Sequence, residues 1–164
     1  MQIWMEIVGT YPERVGQYLI CPINTCTIDN YPRYRVVEEL DEGDLVFHYI
    51  LQRASRKPAA LTSFSRVASK FYISRKQDPL CTYPPPYRKV DLSDNLPLSV
   101  PITLAMLKPH RSELEKLSSE AGFTRTPFDK NFRIKQLYLA RIPYGYMELL
   151  SHISKTKLFL ESKA

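Results

Sequence analysis

Cysteine is scarce in this chain of 164 residues: Cys21, Cys26 and Cys81 are the only three, at irregular spacing. A small, odd count excludes a disulfide framework and leaves at least one thiol unpaired, which points to a reducing cytoplasm. The pair in CPINTC has no second Cys or His pair to complete a structural zinc site, so no metal or other cofactor is expected. Long hydrophobic runs are missing too. No apolar stretch approaches membrane-spanning length, and the opening MQIWMEIVGTYPERV carries Glu6 and no basic start, so it is not a signal peptide. The expected setting is cytoplasmic, with no membrane partner.

Catalytic equipment is equally sparse. Hydrolysis or group transfer needs a nucleophile, a base and a holder for developing charge. The histidines His48, His110 and His152 are scattered, and there is no G-x-S-x-G elbow, H-E-x-x-H helix or Walker loop. His48 sits within a strand pattern and reads as a hydrogen-bonded structural residue. The carboxylates of DEGD read as a solvated turn rather than a metal cluster. The chain is therefore not expected to be an enzyme.

What is present is a succession of short strands. Ile3, Met5 and Ile7 alternate with Gln2, Trp4 and Glu6 up to Gly9, the period of two expected of a strand. Thr10, Tyr11 and Pro12 open a loop or short helix. From Cys21 to Tyr34 the text is polar and aromatic, with Pro22 and Pro32 blocking a regular helix, and reads as a long ordered loop or irregular strand. Leu45 to Leu51 and Ala59 to Val67 read as strands, with KFYIS extending the second after an irregularity at Ala68 and Ser69. PPPY delivers the chain into a further strand, YRKVDL, and LPLSVPITLAMLKP reads as extended chain followed by a short helical turn. HRSELEKLSSEA carries Leu114, Leu117 and Ala121 on one helical face and stops at Gly122. A last strand is predicted between Phe132 and Arg141, then a helix with Met147, Leu150 and Ile153 on one face. There is no regular strand–helix–strand alternation, which excludes a doubly wound sheet and favours a small, curved, barrel-like sheet with peripheral helices.

Charge and rings supply the functional signal. The formal net charge is +6, which favours an anionic partner, nucleic acid first, and tyrosine is common, at 11 residues. Arg53, Arg56, Lys57, Arg75, Lys76, Arg88 and Lys89 are the candidate phosphate contacts, able to add salt-sensitive affinity without specificity. In the strand after Gly43, Phe47 and Tyr49 share one face. They read either as core or, with the loop DNYPRY, as walls of a pocket gripping a flat, base-like ligand, where stacking contributes roughly 1–3 kcal/mol per base.

The ordered pieces MQIWMEIV, LDEGDLVFHYI, SRVASKFY, YRKVDL…LPLSVPITLAML and LARIPYGYMELLSHI together resemble the EVE domain of the PUA-like superfamily, to which YTH and ASCH domains also belong. The resemblance spans most of residues 1–153 and leaves 154–164 as a C-terminal tail or linker. It implies an α+β fold, a small, twisted, partly closed β-barrel with short peripheral helices, and a pocket for a modified or flipped base. Such domains occur as N-terminal specificity modules of McrB-type modification-dependent restriction systems. That implies a modified-DNA partner and an AAA+ or nuclease effector on another domain or subunit. Carried over by position, the pocket takes Thr10 and Tyr11 from the loop after the first strand, and Tyr31 or Tyr34 together with Phe47 and Tyr49 as its aromatics. EVE relatives often have a second tryptophan just after the first strand. Here Trp4 stands alone, so any cage is built from Tyr and Phe. An RNA-binding PUA-like module, an ASCH-like enzyme with Lys70 or Glu6 in its dyad, and a purely structural interaction domain are the alternatives.

Overall fold

The computed structural model describes residues 1–23, 35–135 and 137–158. Strand β1 (Ile3–Val8) begins the domain, and its predicted alternation becomes two buried faces rather than one. It lies parallel to β3 (Leu45–Ile50), with Ile3 opposite Leu45 and Val8 opposite Ile50. Parallel strands buried on both sides read as nearly continuous apolar runs, as these two do. Ile3, Met5, Ile7, Leu45, Phe47 and Tyr49 all enter the larger hydrophobic cluster, while Trp4 and Val46 enter a second one.

Seven strands form one strongly curled sheet, in the order β2 (Tyr18–Pro22), β6 (Tyr87–Thr103), β4 (Ala60–Val67), β3, β1 and β7 (Leu139–Ile142), with β5 (Tyr72–Ser74) paired to β6. The long β6 is what lets the sheet curl. Its first part pairs with β2 and β5, and its later part with β4. The β4–β6 register shifts twice, once around Asp94, whose φ is +53°, and once between Pro97 and Ile102. Prolines are tolerated within a strand where the ladder is already interrupted, so the segment expected as loose extended chain runs on as one bent strand.

Two cores follow from the curl. Trp4, Leu19, Cys21, Val37, Leu40, Val46, Val67, Val90, Leu92 and Leu139 form the smaller one. The larger cluster combines the other face of β1 and β3 with Leu107, which ends α2 (Leu104–Leu107), Leu114 of α3 (Arg111–Glu120), and Met147, Leu149 and Leu150 of α4 (Tyr146–Ser154). Tyr146 ties these last two helices together: its hydroxyl is 2.7 Å from Ser118 Oγ and donates to the carbonyl of Leu114. A short helix, α1 (Gln52–Ser55), links β3 to β4.

Several local expectations are corrected. KFYIS does not extend β4; the chain turns, and β5 pairs with β6 instead. The last strand is shorter than predicted, because among the described residues of 132–138 only Ile134 forms a bridge, to Phe128. The turn DEGD is solvated at Asp41 and Glu42 but not at Asp44, which is 2% exposed. Asp44 accepts from the backbone N–H of Gln2 (2.7 Å) and of Asp41 (3.1 Å) and from the indole N–H of Trp4 (3.0 Å). Gly43, at φ +91°, makes the turn that brings this carboxylate inward. Beyond α4 the chain stays docked: Thr156 Oγ1 accepts from the backbone N–H of Ser99 in β6.

Candidate nucleic-acid interface

The carboxyl ends of β1 and β3 open into a cavity of about 340 Å³. Gly9, Thr10 and Tyr11 come from the turn after β1, and Leu51 and Arg53 from the segment after β3. Arg14, Ile20 and Pro22, the run Leu80–Tyr83, and Leu137 with Tyr138 close the remaining sides. Three rings line it, those of Tyr11, Tyr83 and Tyr138, together with two guanidinium groups. A phenol ring gives a flat ligand an apolar face and a polar edge at once.

Local backbone chemistry sets this wall. Tyr11 lies in the left-handed region at φ 49°, with Pro12 opening a 3-10 turn behind it, and its hydroxyl lies 3.3 Å from Thr82 Oγ1 across the cavity. Gly9 makes room for a side chain rather than for a turn. A Cβ there would stand 2.6 Å from Arg53 Nη2, so the guanidinium of Arg53 rests where any larger residue would displace it.

Behind the rings runs a buried polar chain. Arg14 Nη1 donates to Glu6 Oε1 (3.2 Å) and to the Tyr138 hydroxyl (3.1 Å). Glu6 Oε2 lies 2.7 Å from His48 Nδ1, His48 Nε2 lies 2.8 Å from Ser65 Oγ, and Ser65 in turn donates to Asn95 Oδ1. Glu6 and His48 are opposite each other in the β1–β3 register, which is why strand pairing alone brings them together. Burial by itself would raise the Glu6 pKa. The hydrogen bond and charge of His48, then Arg14 and Tyr138, outweigh that and hold the carboxyl below its ordinary 4.5. Burial likewise works against the Arg14 charge, but Tyr138 and Glu6 more than offset it and stabilise the cation. Burial pushes the Tyr138 phenol well above its usual value, so it remains a neutral hydrogen-bonding group.

The structure sorts the residues expected to bind. Thr10 and Tyr11 line the cavity. Phe47 and Tyr49 do not: they are 0% and 2% exposed, sit in the larger hydrophobic cluster, and Phe47 packs on Phe64 with ring centroids 5.7 Å apart. Their face of β3 turns toward the helices, so of their two readings the structure takes the core one. Tyr31 and Tyr34 lie outside the described residues. Arg53 lines the cavity, while Arg56 and Lys57 border a separate groove beside α1. Arg75 and Lys76 are exposed just after β5. Arg88 and Lys89 are not free cations: Arg88 pairs with Glu38 at 2.7 Å, and Lys89 pairs with Asp78 at 3.0 Å over the ring of Tyr18. Lys70 and Glu6, the candidate dyad of the enzymatic alternative, are not among the residues lining the cavity.

Arg14, Tyr83 and Tyr138 were not anticipated. Arg14 sits in YPERV, which reads as solvated charge, and Tyr83 precedes a proline run. The one available signal was the excess of tyrosine near prolines and turns. On the other side of Leu137 and Tyr138 lies a second cavity of about 510 Å³, lined in part by Phe123, Arg125, Lys135 and Arg141. Among the described residues no cluster of His, Cys, Asp and Glu has metal-binding proximity, and no helix is long and apolar enough to cross a membrane.

No family model matches the sequence, and no curated protein matches it either. Solved structures do match over nearly the whole chain. Human THYN1, in complex with DNA containing 5-methylcytosine, is 13% identical with a TM-score of 0.61, covering 96% of this chain and 99% of that one. The DUF55 domain of human thymocyte nuclear protein 1 is 14% identical with a TM-score of 0.59, covering 93% and 98%. The N-terminal domain of McrB from Staphylothermus marinus is 13% identical with a TM-score of 0.56, covering 92% and 93%. At these identities the likeness is one of fold: the chain shares the fold of these domains, a curled, partly closed sheet with a few short helices, in keeping with what the strand motifs imply.

Proposed function

We propose that this domain is a DNA-binding module that receives a modified, flipped base in the cavity bounded by Tyr11, Tyr83 and Tyr138. The observation that carries the reading is the coincidence, in one cavity, of three phenol rings with two guanidinium groups, at the carboxyl ends of the parallel strand pair. Extruding a base from a duplex costs a few kcal/mol, and stacking plus edge hydrogen bonds in a closed site offset it. Phosphate contacts from Arg53, Arg56, Lys57, Arg75 and Lys76 add affinity that carries no sequence information. The reading is supported by the fold shared with a protein solved on 5-methylcytosine DNA and with the N-terminal domain of an McrB.

In this reading the domain binds and does not catalyse. An AAA+ or nuclease effector on another domain or subunit carries the chemistry, and the work is cytoplasmic. Residues 1–153 make the reader and 154–164 the connection. Fluorescence anisotropy with matched duplexes, unmodified or carrying methylcytosine or methyladenine, beside an RNA of the same sequence and at two salt concentrations, tests it. Tighter binding to one modified duplex is the expected result. Preference for the RNA would assign the cavity to an exposed, single-stranded base instead.

A further inference from the structure

The excess positive charge of the chain gathers in one stretch. Residues 122–141 hold Arg125, Lys130, Arg133, Lys135 and Arg141 against a single carboxylate, Asp129, in a protein whose formal net charge is +6. Asp129 is taken up by its own turn, its Oδ1 accepting from the backbone N–H of Asn131 (2.8 Å) and of Arg133 (2.9 Å). Among the described residues no ion pair ties Lys135 or Arg141 to a carboxylate, whereas Arg88 and Lys89 are both paired.

Three of these cations, Arg125, Lys135 and Arg141, line the 510 Å³ cavity together with Leu137 and Leu139, and Glu39 is the one carboxylate among its lining residues. Arg141 is exposed on β7, opposite Trp4 of β1, and its guanidinium carbon stands 5.0 Å from the centroid of the Phe123 ring. A cation over a ring is attracted by the π-face and needs no acceptor, so its N–H donors stay available for the two oxygens of one phosphate. The contact also restrains the side chain before a ligand arrives, so less freedom is lost on binding. The backbone of Lys135 is pinned as well, its N–H donating to the carbonyl of Pro127 at 2.8 Å. Apolar neighbours strengthen what these charges can do, since an ion pair beside them is screened less than in open water.

Leu137 and Tyr138 line both cavities, so the wall between them is a single segment of chain. We propose that Lys135 and Arg141 form a phosphate site in the second cavity, occupied by a DNA phosphodiester that flanks the nucleotide inserted in the first. This rests on the base-reading function proposed above and adds to it the path of the strand, which crosses Tyr138 from one cavity to the other. The site reads charge and spacing rather than sequence, so its contribution is to affinity and register.

The test uses the full chain and modified duplexes that differ in one linkage, which is a phosphodiester throughout or a neutral methylphosphonate on the 5′ side, on the 3′ side or at the duplex end. The wild type should bind one of the two flanking methylphosphonate duplexes about tenfold more weakly than the all-phosphate duplex, and the end-substituted one almost equally well. Lys135→Gln combined with Arg141→Gln should lose that distinction, and its slope of log affinity against log salt should fall by about one. Lys108→Gln combined with Lys157→Gln removes the same charge from two exposed lysines that line neither cavity, and should leave the slope in place. Urea midpoints establish that both variants are folded. Wild-type binding that ignores both flanking methylphosphonates, or a Lys135→Gln/Arg141→Gln slope equal to that of the control, overturns the assignment, and a preserved ratio of modified to plain duplex then leaves the base-reading cavity standing. Failure of every duplex to bind removes the base-reading function and this site with it.

Discussion

Glu6 and His48 stand opposite each other in the parallel pairing of β1 and β3, their side chains meet at 2.7 Å, and neither reaches solvent. The pair supports Arg14 from behind, so one contact inside the sheet sets the geometry of the cavity wall. A buried carboxylate paired with a buried guanidinium is worth little as a net contributor but is costly to break, because Arg14 is left uncompensated. Glu6→Gln should therefore destabilise the domain by about 3–5 kcal/mol, read as the change in urea midpoint at constant slope. A loss below about 1 kcal/mol would mean that Arg14 finds other compensation.

Acid should act through the same carboxyl. Glu6 has its pKa lowered in the fold from 4.5, so its contribution is complete above about pH 4.5 and is lost as pH falls through the lower, folded value. Asp78, held down by the Leu80 backbone N–H, Lys89 and Tyr18 against its own burial, behaves alike, beginning from 3.8. Unfolding free energy measured from pH 7 downward should be flat with respect to these groups to about 4.5 and then fall. In Glu6→Gln the first part of that fall should be missing.

Phe47 and Tyr49 give the sharpest contrast between core and site. Phe47→Ala should cost about 3–5 kcal/mol, as expected for emptying a packed aromatic position. Tyr49 makes no hydrogen bond through its hydroxyl among the described residues, so Tyr49→Phe should leave both the urea midpoint and nucleic-acid affinity within error of wild type. A selective loss of base preference in folded Tyr49→Phe would return that residue to the binding site.

Salt dependence should separate free cations from paired ones. Replacing both Arg75 and Lys76 with Ala should reduce the slope of log affinity against log salt by about two, one for each phosphate that is no longer neutralised. Arg88→Ala should leave the slope unchanged, because Glu38 already holds that guanidinium at 2.7 Å. Anisotropy titrations from low to moderate salt measure both.

Much of the scaffold was legible because its signals are local. The alternation in Ile3–Ile7, the breaker-free run after Gly43 and the leucine spacing of 114 and 117 each appear in one contiguous stretch, and each became the element expected. The errors arose where a partner strand decides. Tyr18–Pro22 is a strand because β6 lies beside it, and the described residues of 132–138 are not one because among them only Ile134 finds a bridge. Period-two patterning placed Phe47 and Tyr49 on one face but did not say which face the helices cover. The cavity was less legible still. Arg14, Tyr83 and Tyr138 come from three distant segments, and what joins them is the curl of the sheet rather than any spacing along the chain. Asp44 shows the same limit: in DEGD it resembles its solvated neighbours until Trp4 and Gln2 are brought to it across the β1–β3 pair.

In the proposed reading, selectivity resides in the tyrosine-lined cavity and affinity for plain DNA outside it. The most direct measurement is the ratio of affinities for a modified and an unmodified duplex, in the wild type and in a variant with Tyr83, a residue 45% exposed and outside the core, replaced by Ala. The ratio should fall by about tenfold, in line with the loss of one stacking ring, while salt-sensitive binding to the plain duplex persists. An unchanged ratio in a folded Tyr83→Ala protein would contradict it.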